Sequence, residues 1–344
     1  MDDKSFNRQS NEYYALDVFK LIFALSVVAI HIDPMVSQEG NYIYKVYQSF
    51  IYLAVPFFFL TTGFLMGESL YTINDNIYEK DFLINKIKKY AWLYLTWTIV
   101  YAPLAIWHYI YSNMKSFEII KDLVKGFFWI GENYNSYILW YLLSSLYSLI
   151  FIYFFRKMKI TYNHILIISV LVALVAILLV DYKNGVFKLS GFVGMIFLKF
   201  SNVGARVVTG FFYITMGIVI GIKRMYMKKY LLYIFIATGI LLEIISQGYG
   251  FVYEIGRALA TIGIVYTLVG IQLKPSNIYL TFRKLSSSLY FWHMWVYTLL
   301  SFVIYGMGNM HKGVIMYLDV VLIIGLMFTI IHCFQKRIEV HEIV

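Results

Sequence analysis

The sequence predicts an all-α integral membrane protein, a bundle of about ten transmembrane helices with both termini in the cytoplasm. Three observations carry this prediction: the composition, the length of the apolar runs and the placement of the basic residues. The chain of 344 residues is 60% hydrophobic and only 14% charged, whereas a soluble domain is about one quarter charged. Such a chain lacks the polar surface that a folded protein needs in water.

Apolar runs of about 20 residues, each long enough to cross about 30 Å of hydrocarbon as a helix, recur along the whole sequence. We therefore treat residues 1–344 as a single membrane-embedded domain. The first run contains charged residues and no small-x-small cleavage site follows it, so we expect it to be retained in the mature protein. The predicted spans are 14–32, 47–66, 90–111, 138–155, 165–181, 206–222, 229–246, 256–273, 288–305 and 314–333.

The basic residues give the predicted orientation. The net charge of +10 suggests a nucleic-acid partner at first sight, but these residues fall in short loops between spans, where the positive-inside rule explains them. We expect no nucleic-acid partner, a cytoplasmic N-terminus and a multi-pass protein of the plasma membrane in contact with its lipids. The predicted inner loops hold Lys80, Lys86, Lys88, Lys89, Arg156, Lys157, Lys159, Lys223, Arg224, Lys228, Lys229, Lys274, Arg283 and Lys284.

The first span carries three ionisable side chains, which are costly in hydrocarbon unless they face the bundle interior or water. Asp17, Lys20 and His31 point in directions that differ by only about 60° and 20°, so they share one helical face. Lys20 lies roughly 16 Å from His31 along the axis, toward the cytoplasm. An alternative needs no functional site: Asp17 and Lys20 pair at the membrane surface, and His31 meets lipid headgroups.

Other ionisable residues are embedded in later spans. Arg206 begins the sixth span, and His293 lies in the ninth within an aromatic segment. For His293, a hydrogen-bonded packing role is the alternative to a functional one. Glu243 and Asp319 are candidates to pair with Arg257 or with Arg206, and the sequence leaves the pairing open.

The motif search excludes several kinds of site. Cys333 is the single cysteine, so there is no internal disulfide and no thiolate cluster. No HExxH, CxxC or other metal-ligand spacing occurs, and we expect no metal. Neither GxSxG, a glycine-rich phosphate loop nor a Rossmann fingerprint is present.

Several short segments together match a known pattern. Ten residues separate Lys20 from His31, directly after Leu16-Asp17, and Lys86-Ile87-Lys88-Lys89 precedes the third span. The other segments are Val55-Pro56-Phe57-Phe58-Phe59-Leu60-Thr61-Thr62-Gly63-Phe64 in the second span, Leu139-Trp140-Tyr141-Leu142 in the fourth, Arg206 with Gly210, Gly217 and Gly221 in the sixth, and Leu289-Tyr290-Phe291-Trp292-His293 in the ninth.

With these segments the chain resembles the acyltransferase-3 family of prokaryotic ten-helix membrane acyltransferases. The first spacing is similar to that family's Arg/Lys-x10-His signature, and Lys86-Ile87-Lys88-Lys89 is similar to its RxxR motif. The remaining segments are similar, in the order given, to its FFF-I-S-GF box, its HLWYL segment, its sixth helix and its Y-hydrophobic-x-H segment. Lysine replaces the commoner arginine at Lys20, Lys86 and Lys89, and Ile138 stands where histidine is usual.

The resemblance implies an O-acetyltransferase that uses acetyl-CoA as the acyl donor. Neutral His31 is the expected general base, with an acyl-histidine intermediate as the variant mechanism. Arg206 or a tyrosine hydroxyl is the expected oxyanion stabiliser, and Asp17 is a third candidate catalytic residue. The expected contacts to the donor phosphates are Lys20, Lys86 and Lys89. The expected acceptor-binding residues are Trp140, Tyr141 and His293.

The acceptor implied by the resemblance is a hydroxyl of an envelope polysaccharide or of a lipid-linked sugar. Two other function classes stay open. One is a small-molecule transporter for amino acids, since similar membrane domains are fused to serine racemases, although no inverted repeat supports transport. The other is a structural partner in polysaccharide assembly, which leaves Lys86, Lys89 and His31 without a purpose.

Overall fold

The structure is a computed structural model that describes residues 13–73, 76–112, 114–186, 191–224, 227–246, 250–306 and 310–341. Within these ranges the chain forms twelve α-helices and no strand, which confirms the predicted all-α class. The helices are α1 (Tyr14–Ile32), α2 (Tyr42–Ile51), α3 (Ala54–Tyr71), α4 (Asn76–Tyr111), α5 (Ser116–Lys125), α6 (Leu139–Lys157), α7 (Tyr162–Lys183), α8 (Gly191–Lys223), α9 (Lys229–Ile245), α10 (Gly250–Val269), α11 (Asn277–Tyr305) and α12 (Val314–His341).

Seven apolar helical stretches in the described part of the chain are long enough to cross a membrane. The protein is therefore a multi-pass membrane protein. Among the other predicted spans, α9 has 17 residues, and α4 and α11 are long but rich in tyrosine and tryptophan. The count of ten spans and the cytoplasmic placement of both termini stay predictions. The seven stretches are Tyr14–Ile32, Tyr42–Tyr71, Leu139–Lys157, Tyr162–Lys183, Arg206–Lys223, Gly250–Val269 and Val314–Phe334.

Three helices begin well before the spans predicted for them: α8 at Gly191, and α4 and α11 through polar extensions. α4 starts at Asn76 and α11 at Asn277, where the Ser276 side chain caps α11 by accepting a hydrogen bond from the Ile278 backbone N–H at 3.4 Å. These extensions are polar, so a hydropathy pattern does not detect them. The placement of residues 80–89 and of Arg283 in loops was wrong, because these residues lie on α4 and α11.

The second predicted span, 47–66, corresponds to parts of two helices. A turn at Tyr52 and Leu53 separates the end of α2 from the start of α3. The α2 segment presents several exposed apolar side chains, including Tyr42 and Ile43. The apolar run is continuous in sequence, but the backbone is not continuously helical.

Glycines allow α3 and α8 to pack backbone against backbone. A Cβ atom on Gly63 would overlap the carbonyl oxygen of Ile214, and a Cβ atom on Gly217 would overlap that of Leu60. Small residues at helix crossings permit such close approach within membranes. This crossing holds α8, and with it Arg206, against the rest of the bundle.

Cross-helix hydrogen bonds fix the relative level of the helices. Tyr101 Oη on α4 donates to the carbonyl of Phe291 on α11 at 2.8 Å, and Trp295 Nε1 donates back to the carbonyl of Val100 at 3.1 Å. Ring contacts follow the same order along both helices, Trp97 with Phe291, Tyr101 with Trp295 and Trp107 with Phe302, so α4 and α11 run in the same direction. We call the end of the bundle that holds His31 the His31 end, and the opposite end, which holds Lys20, the Lys20 end.

Candidate active site

Side chains from four separate parts of the chain meet near His31. The histidine ring lies beside His293 on α11, with ring centroids 5.3 Å apart, and stacks on Tyr137 at 5.9 Å with an interplanar angle of 10°. Arg206 on α8 lies close enough for its charge to act on the imidazole. The structure thus brings together three residues that the sequence singled out separately.

The His31 ring forms no hydrogen bond with any residue that the structure describes. Asp33, two residues along, does not orient it. That carboxylate instead accepts a hydrogen bond from Tyr44 Oη at 2.6 Å, in a left-handed backbone conformation that ends α1. Both nitrogens of His31 are therefore available to a substrate.

His293 is fully buried, and one ring nitrogen has a defined partner. Nδ1 lies 2.9 Å from the carbonyl oxygen of Leu289. Because a carbonyl only accepts hydrogen bonds, Nδ1 carries a hydrogen atom and the neutral ring leaves Nε2 as an acceptor. Nε2 is buried and meets no hydrogen-bonding atom in the described chain. A buried polar atom without a partner is uncommon and points to a missing ligand or water.

Arg206 is held in place by three contacts. Its Nη1 lies 2.7 Å from Oε2 of Glu132, but the angle is not that of a hydrogen bond, so both atoms keep a hydrogen-bonding direction unused. The guanidinium also lies over the Trp140 ring, 5.5 Å from its centroid. At the backbone, Ser144 Oγ on α6 donates to the Arg206 carbonyl at 2.8 Å.

The segment 131–138 supplies Glu132 and Tyr137 to this cluster. It begins at Gly131, whose φ of 75° follows a π-helical turn, and a Cβ atom there would lie 2.6 Å from the Trp140 Cα. Asn135 also has a positive φ of 53°, and its Nδ2 donates to Thr298 Oγ1 on α11 at 3.2 Å. These constraints hold an irregular segment against the helices that carry the site.

The aromatic residues predicted for acceptor binding line the inner side of the same region. Trp140 lies under Arg206, whereas Tyr141 packs against Phe59 with ring centroids 4.4 Å apart and against Tyr290 at 5.8 Å. The Tyr141 hydroxyl is 3.2 Å from Thr62 Oγ1. Trp140 therefore contacts the site through Arg206, and Tyr141 belongs to the aromatic packing with Phe59 and Tyr290.

Asp17 and Lys20 lie at the other end of α1 and form a three-residue ion cluster. Lys20 Nζ is 3.1 Å from Asp17 Oδ1, and Arg283 on α11 binds the same carboxylate through Nε at 3.0 Å and Nη2 at 2.6 Å. Asp17 lies about 21 Å from His31 along the helix. This corrects the grouping of Asp17 with His31 as catalytic residues, because the two side chains cannot touch the same reacting atoms.

Lys86 and Lys89 also lie toward the Lys20 end, roughly two turns and roughly one and a half turns of α4 before Tyr94 respectively. No ion pair joins either lysine to an acidic group in the described ranges. Burial, followed by the charge of Lys89, lowers the pKa of Lys86 below its ordinary value. Two neighbouring lysines without counter-charge are suited to an anionic ligand.

The remaining embedded charges pair differently from the expectation. Arg257 Nη2 lies 3.4 Å from Glu254 on the same helix. Among the described residues, neither Glu243 nor Asp319 forms an ion pair with Arg257 or Arg206. Glu243 is buried with both carboxylate oxygens unpartnered, and it lies outside the histidine cluster.

Sequence reasoning missed Glu132, Tyr137 and Arg283. The first two lie in the irregular segment 131–138, where no periodicity indicates which side chains face the bundle. One signal was available for Glu132, because an arginine embedded in a span needs a nearby anion. Arg283 was missed because hydropathy placed it in a loop.

Comparison of the sequence with known proteins identifies the family of this chain. The family model for an acyltransferase domain matches residues 13–334. The chain belongs to the acyltransferase-3 family. Membership supports membrane acyltransferase activity in general terms and leaves the donor, the acceptor and the base unspecified.

Two curated relatives are racemases. An amino-acid racemase from Enterococcus faecalis is 33% identical over 140 residues, which are 40% of this chain and 18% of that protein. A serine/alanine racemase from Enterococcus gallinarum is 31% identical over 129 residues, 37% of this chain and 17% of that protein. The matched part of the chain spans less than a fifth of either relative. No solved structure matches the chain.

Proposed function

We propose that this member of the acyltransferase-3 family transfers an acetyl group from acetyl-CoA to a hydroxyl of a cell-surface glycan or a lipid-linked sugar, in the plasma membrane of a prokaryotic cell. The observation that carries the proposal is the cluster around His31. An imidazole without a hydrogen-bonding partner faces a second imidazole with a free buried acceptor nitrogen, and a guanidinium lies beside them.

His31 acts as the general base in this proposal. It takes the proton of the acceptor hydroxyl while the hydroxyl oxygen bonds to the thioester carbonyl carbon. The C–S bond then breaks, and the leaving thiolate of coenzyme A takes the proton from the His31 imidazolium. Atoms and charge balance without a further reactant, and the histidine returns to its neutral form.

Arg206 stabilises the negative charge that develops on the carbonyl oxygen. Its Nη1 keeps an N–H direction that Glu132 does not use, so a donor is available without breaking the ion pair. A positive group preorganised near a developing oxyanion is among the largest contributions to catalysis of acyl transfer. Glu132 is a positioning residue in this scheme, since it acts through Arg206.

The acceptor sugar lies against Trp140 and donates a hydrogen bond to His293 Nε2. An aromatic ring offers an apolar face for the C–H groups of a sugar, and Nε2 accepts from a neighbouring hydroxyl. His293 lies beside the His31 ring, and Trp140 lies under Arg206. Tyr141 supports Trp140 from below through the aromatic packing with Phe59.

The donor enters from the Lys20 end. Lys86 and Lys89 bind the nucleotide phosphates, and Lys20, fixed by Asp17, binds the part of the arm that enters the bundle. Two cations on one carboxylate leave the cluster of Asp17, Lys20 and Arg283 with a net positive charge. The roughly 16 Å between Lys20 and His31 matches an extended arm that carries the thioester to the base.

A second candidate function is amino-acid transport, for which serine and alanine are the first candidate substrates because the two relatives are racemases named for amino acids. Transport predicts uptake of labelled serine or alanine into proteoliposomes and no consumption of acetyl-CoA. The acyltransferase proposal predicts the opposite. Incubating membrane vesicles with acetyl-CoA labelled in the acetyl group, followed by isolation of the glycan and lipid-linked sugar fractions, distinguishes the two directly.

A further inference from the structure

A cavity of about 530 Å³ lies at the Lys20 end, between α4, α6 and the turn that leads to α7. Its charged lining residues are Glu79, Lys80, Arg156, Lys157 and Lys159. The histidine cluster lies at the opposite end of the bundle. Neither Lys86 nor Lys89 of the proposed donor site lines this cavity. Lys86 points within about 20° of Glu79 but lies about 10 Å farther along the α4 axis, and Lys89 lies on the side of the helix opposite Lys80.

Glu79, the one acidic side chain among the lining residues, already has hydrogen-bonding partners. Arg156 donates to Glu79 through Nε at 2.5 Å and through Nη2 at 2.8 Å, and Tyr162 Oη donates to the same group at 2.8 Å. Burial alone would raise the pKa of Glu79, but the hydrogen bonds from Arg156 and Tyr162 outweigh it and hold that pKa below its usual value. Glu79 is therefore ionised, and its charge is balanced by Arg156.

The positive charges of the three lysines that line the cavity are not neutralised by an acidic partner in the described part of the chain. Lys80, Lys157 and Lys159 form no ion pair within the described ranges. With Glu79 matched to Arg156, the half-open cavity keeps a net charge of about three positive units, and clustered charge of one sign raises the local concentration of oppositely charged ligands. An anion with several oxygens satisfies this field better than single chloride ions do.

Lys159 occupies a backbone position where glycine is usual. Its φ is 60°, and it closes α6 with hydrogen bonds from Lys159 N to the Arg156 carbonyl at 2.9 Å and from Ile160 N to the Phe155 carbonyl at 3.0 Å. This is the Schellman pattern, whose left-handed residue is normally glycine because a Cβ atom there is unfavourable. A strained residue held at a cavity rim points to a use for its side chain.

We propose that this cavity binds a phosphate group. Two sources carry that chemistry: the headgroup of an anionic phospholipid in the adjacent leaflet and the phosphates of a soluble molecule. The apolar side chains of Phe154 and Met158, on the same stretch of chain, are exposed, as residues in contact with lipid are. Basic pockets between membrane helices bind anionic headgroups in this manner. The proposal goes beyond the acyl-transfer reaction and does not depend on it.

The test compares two double variants that lose the same charge. K157Q/K159Q removes two lysines of the cavity, and K228Q/K274Q removes two lysines that do not line it. Native mass spectrometry measures how much phosphatidylglycerol the protein retains relative to phosphatidylcholine. Calorimetry with inorganic pyrophosphate measures the binding of a soluble phosphate. We expect K157Q/K159Q to weaken one of these two interactions roughly tenfold or more, and K228Q/K274Q to change neither by more than about twofold.

The outcome identifies the source. Loss confined to phosphatidylglycerol assigns the cavity to a lipid headgroup, and loss confined to pyrophosphate assigns it to a soluble phosphate. Equal effects of the two double variants, or no preference of the wild-type protein for either anionic probe, overturn the proposal. Neither readout uses acetyl-CoA turnover, so failure here is distinct from failure of the proposed acyl transfer.

Lys159→Gly supplies an independent check. Glycine relieves the left-handed strain, so we expect the apparent melting temperature of the nanodisc-embedded protein to rise while anion binding weakens. A purely structural lysine would not separate stability from binding in this way. A lower melting temperature, or anion binding equal to that of the wild type, contradicts the assignment of Lys159 to the phosphate.

Discussion

Neutralising Glu132 isolates the contribution of a residue that acts on the site only through Arg206. In Glu132→Gln, the guanidinium loses its counter-charge and is less firmly held over Trp140. The buried Nη1 of Arg206 is then left without its anionic partner, and a buried polar group left unsatisfied costs about 1–3 kcal/mol. Here the Arg206 side chain is 36% exposed and that of Glu132 18%, so solvent screening reduces the effect to about 1–1.5 kcal/mol.

That free energy corresponds to a fall in kcat/KM of roughly 5- to 10-fold. The assay measures initial rates of coenzyme A release by protein in nanodiscs, with saturating and with limiting acetyl-CoA. We expect the loss to appear in kcat, because Arg206 interacts with the oxyanion of the transition state. Arg206→Gln should be slower still, and Glu132→Gln/Arg206→Gln should be no slower than Arg206→Gln alone.

The matched control is Glu68→Gln. Glu68 pairs with Arg224 at the Lys20 end at 2.9 Å, with side chains that are 12% and 44% exposed, so the two ion pairs are similar in exposure. The Glu68 pair is the better hydrogen-bonded one, since Glu68 accepts from Arg224 twice and from Tyr13 once. We expect Glu68→Gln to keep wild-type kcat/KM within about twofold. If Glu132→Gln is as active as Glu68→Gln, or if its effect multiplies that of Arg206→Gln, Glu132 does not act through Arg206.

Three further predictions concern the donor side and the fold. Lys20→Ala should raise KM for acetyl-CoA about fivefold with little change in kcat, and Lys20→Arg should restore it; an unchanged KM contradicts donor binding by Lys20. Because protonated Lys86 binds phosphate and its pKa is lowered by burial and by Lys89, KM should rise with pH earlier than for an ordinary lysine. Lys86→Arg should remove that rise. Identical pH profiles of KM for the wild type and Lys86→Arg contradict phosphate binding by Lys86. Gly131→Ala should destabilise the protein by about 1–2 kcal/mol through its positive φ alone, seen as a lower melting temperature; an unchanged value shows that the segment adapts.

The regular part of the fold follows from hydropathy, because hydrocarbon demands long apolar helices with internally satisfied backbones. The spacing of Asp17 and Lys20 predicted a pair that the structure contains. Helix ends outside the hydrocarbon were not predictable in this way, so Arg283 was assigned to a loop although it binds Asp17. Apolar patterning reports burial in lipid and does not report where a polar helix begins.

The site itself was partly predictable. The sequence singled out His31, Arg206 and His293 because an ionisable side chain inside a span is costly unless it has a partner or a function. The structure brings these three residues together. Which partners complete the cluster depends on the left-handed turns at Gly131 and Asn135. Those turns set the position of Glu132 and Tyr137 through tertiary contacts, which no local pattern of the sequence contains.

The central claim is that His31 is the general base of an acetyl transfer. The most direct test is release of coenzyme A from acetyl-CoA by the purified protein in nanodiscs, with candidate glycans, comparing the wild type with His31→Ala. His164→Ala is the matched control, since His164 lies in the first turn of α7 next to Thr161, away from the cluster.

General-base catalysis contributes about 10²- to 10⁴-fold, so His31→Ala should lower the release rate at least about 100-fold, whereas His164→Ala should leave it within about twofold. A folded His31→Ala protein that releases coenzyme A at the wild-type rate contradicts the account.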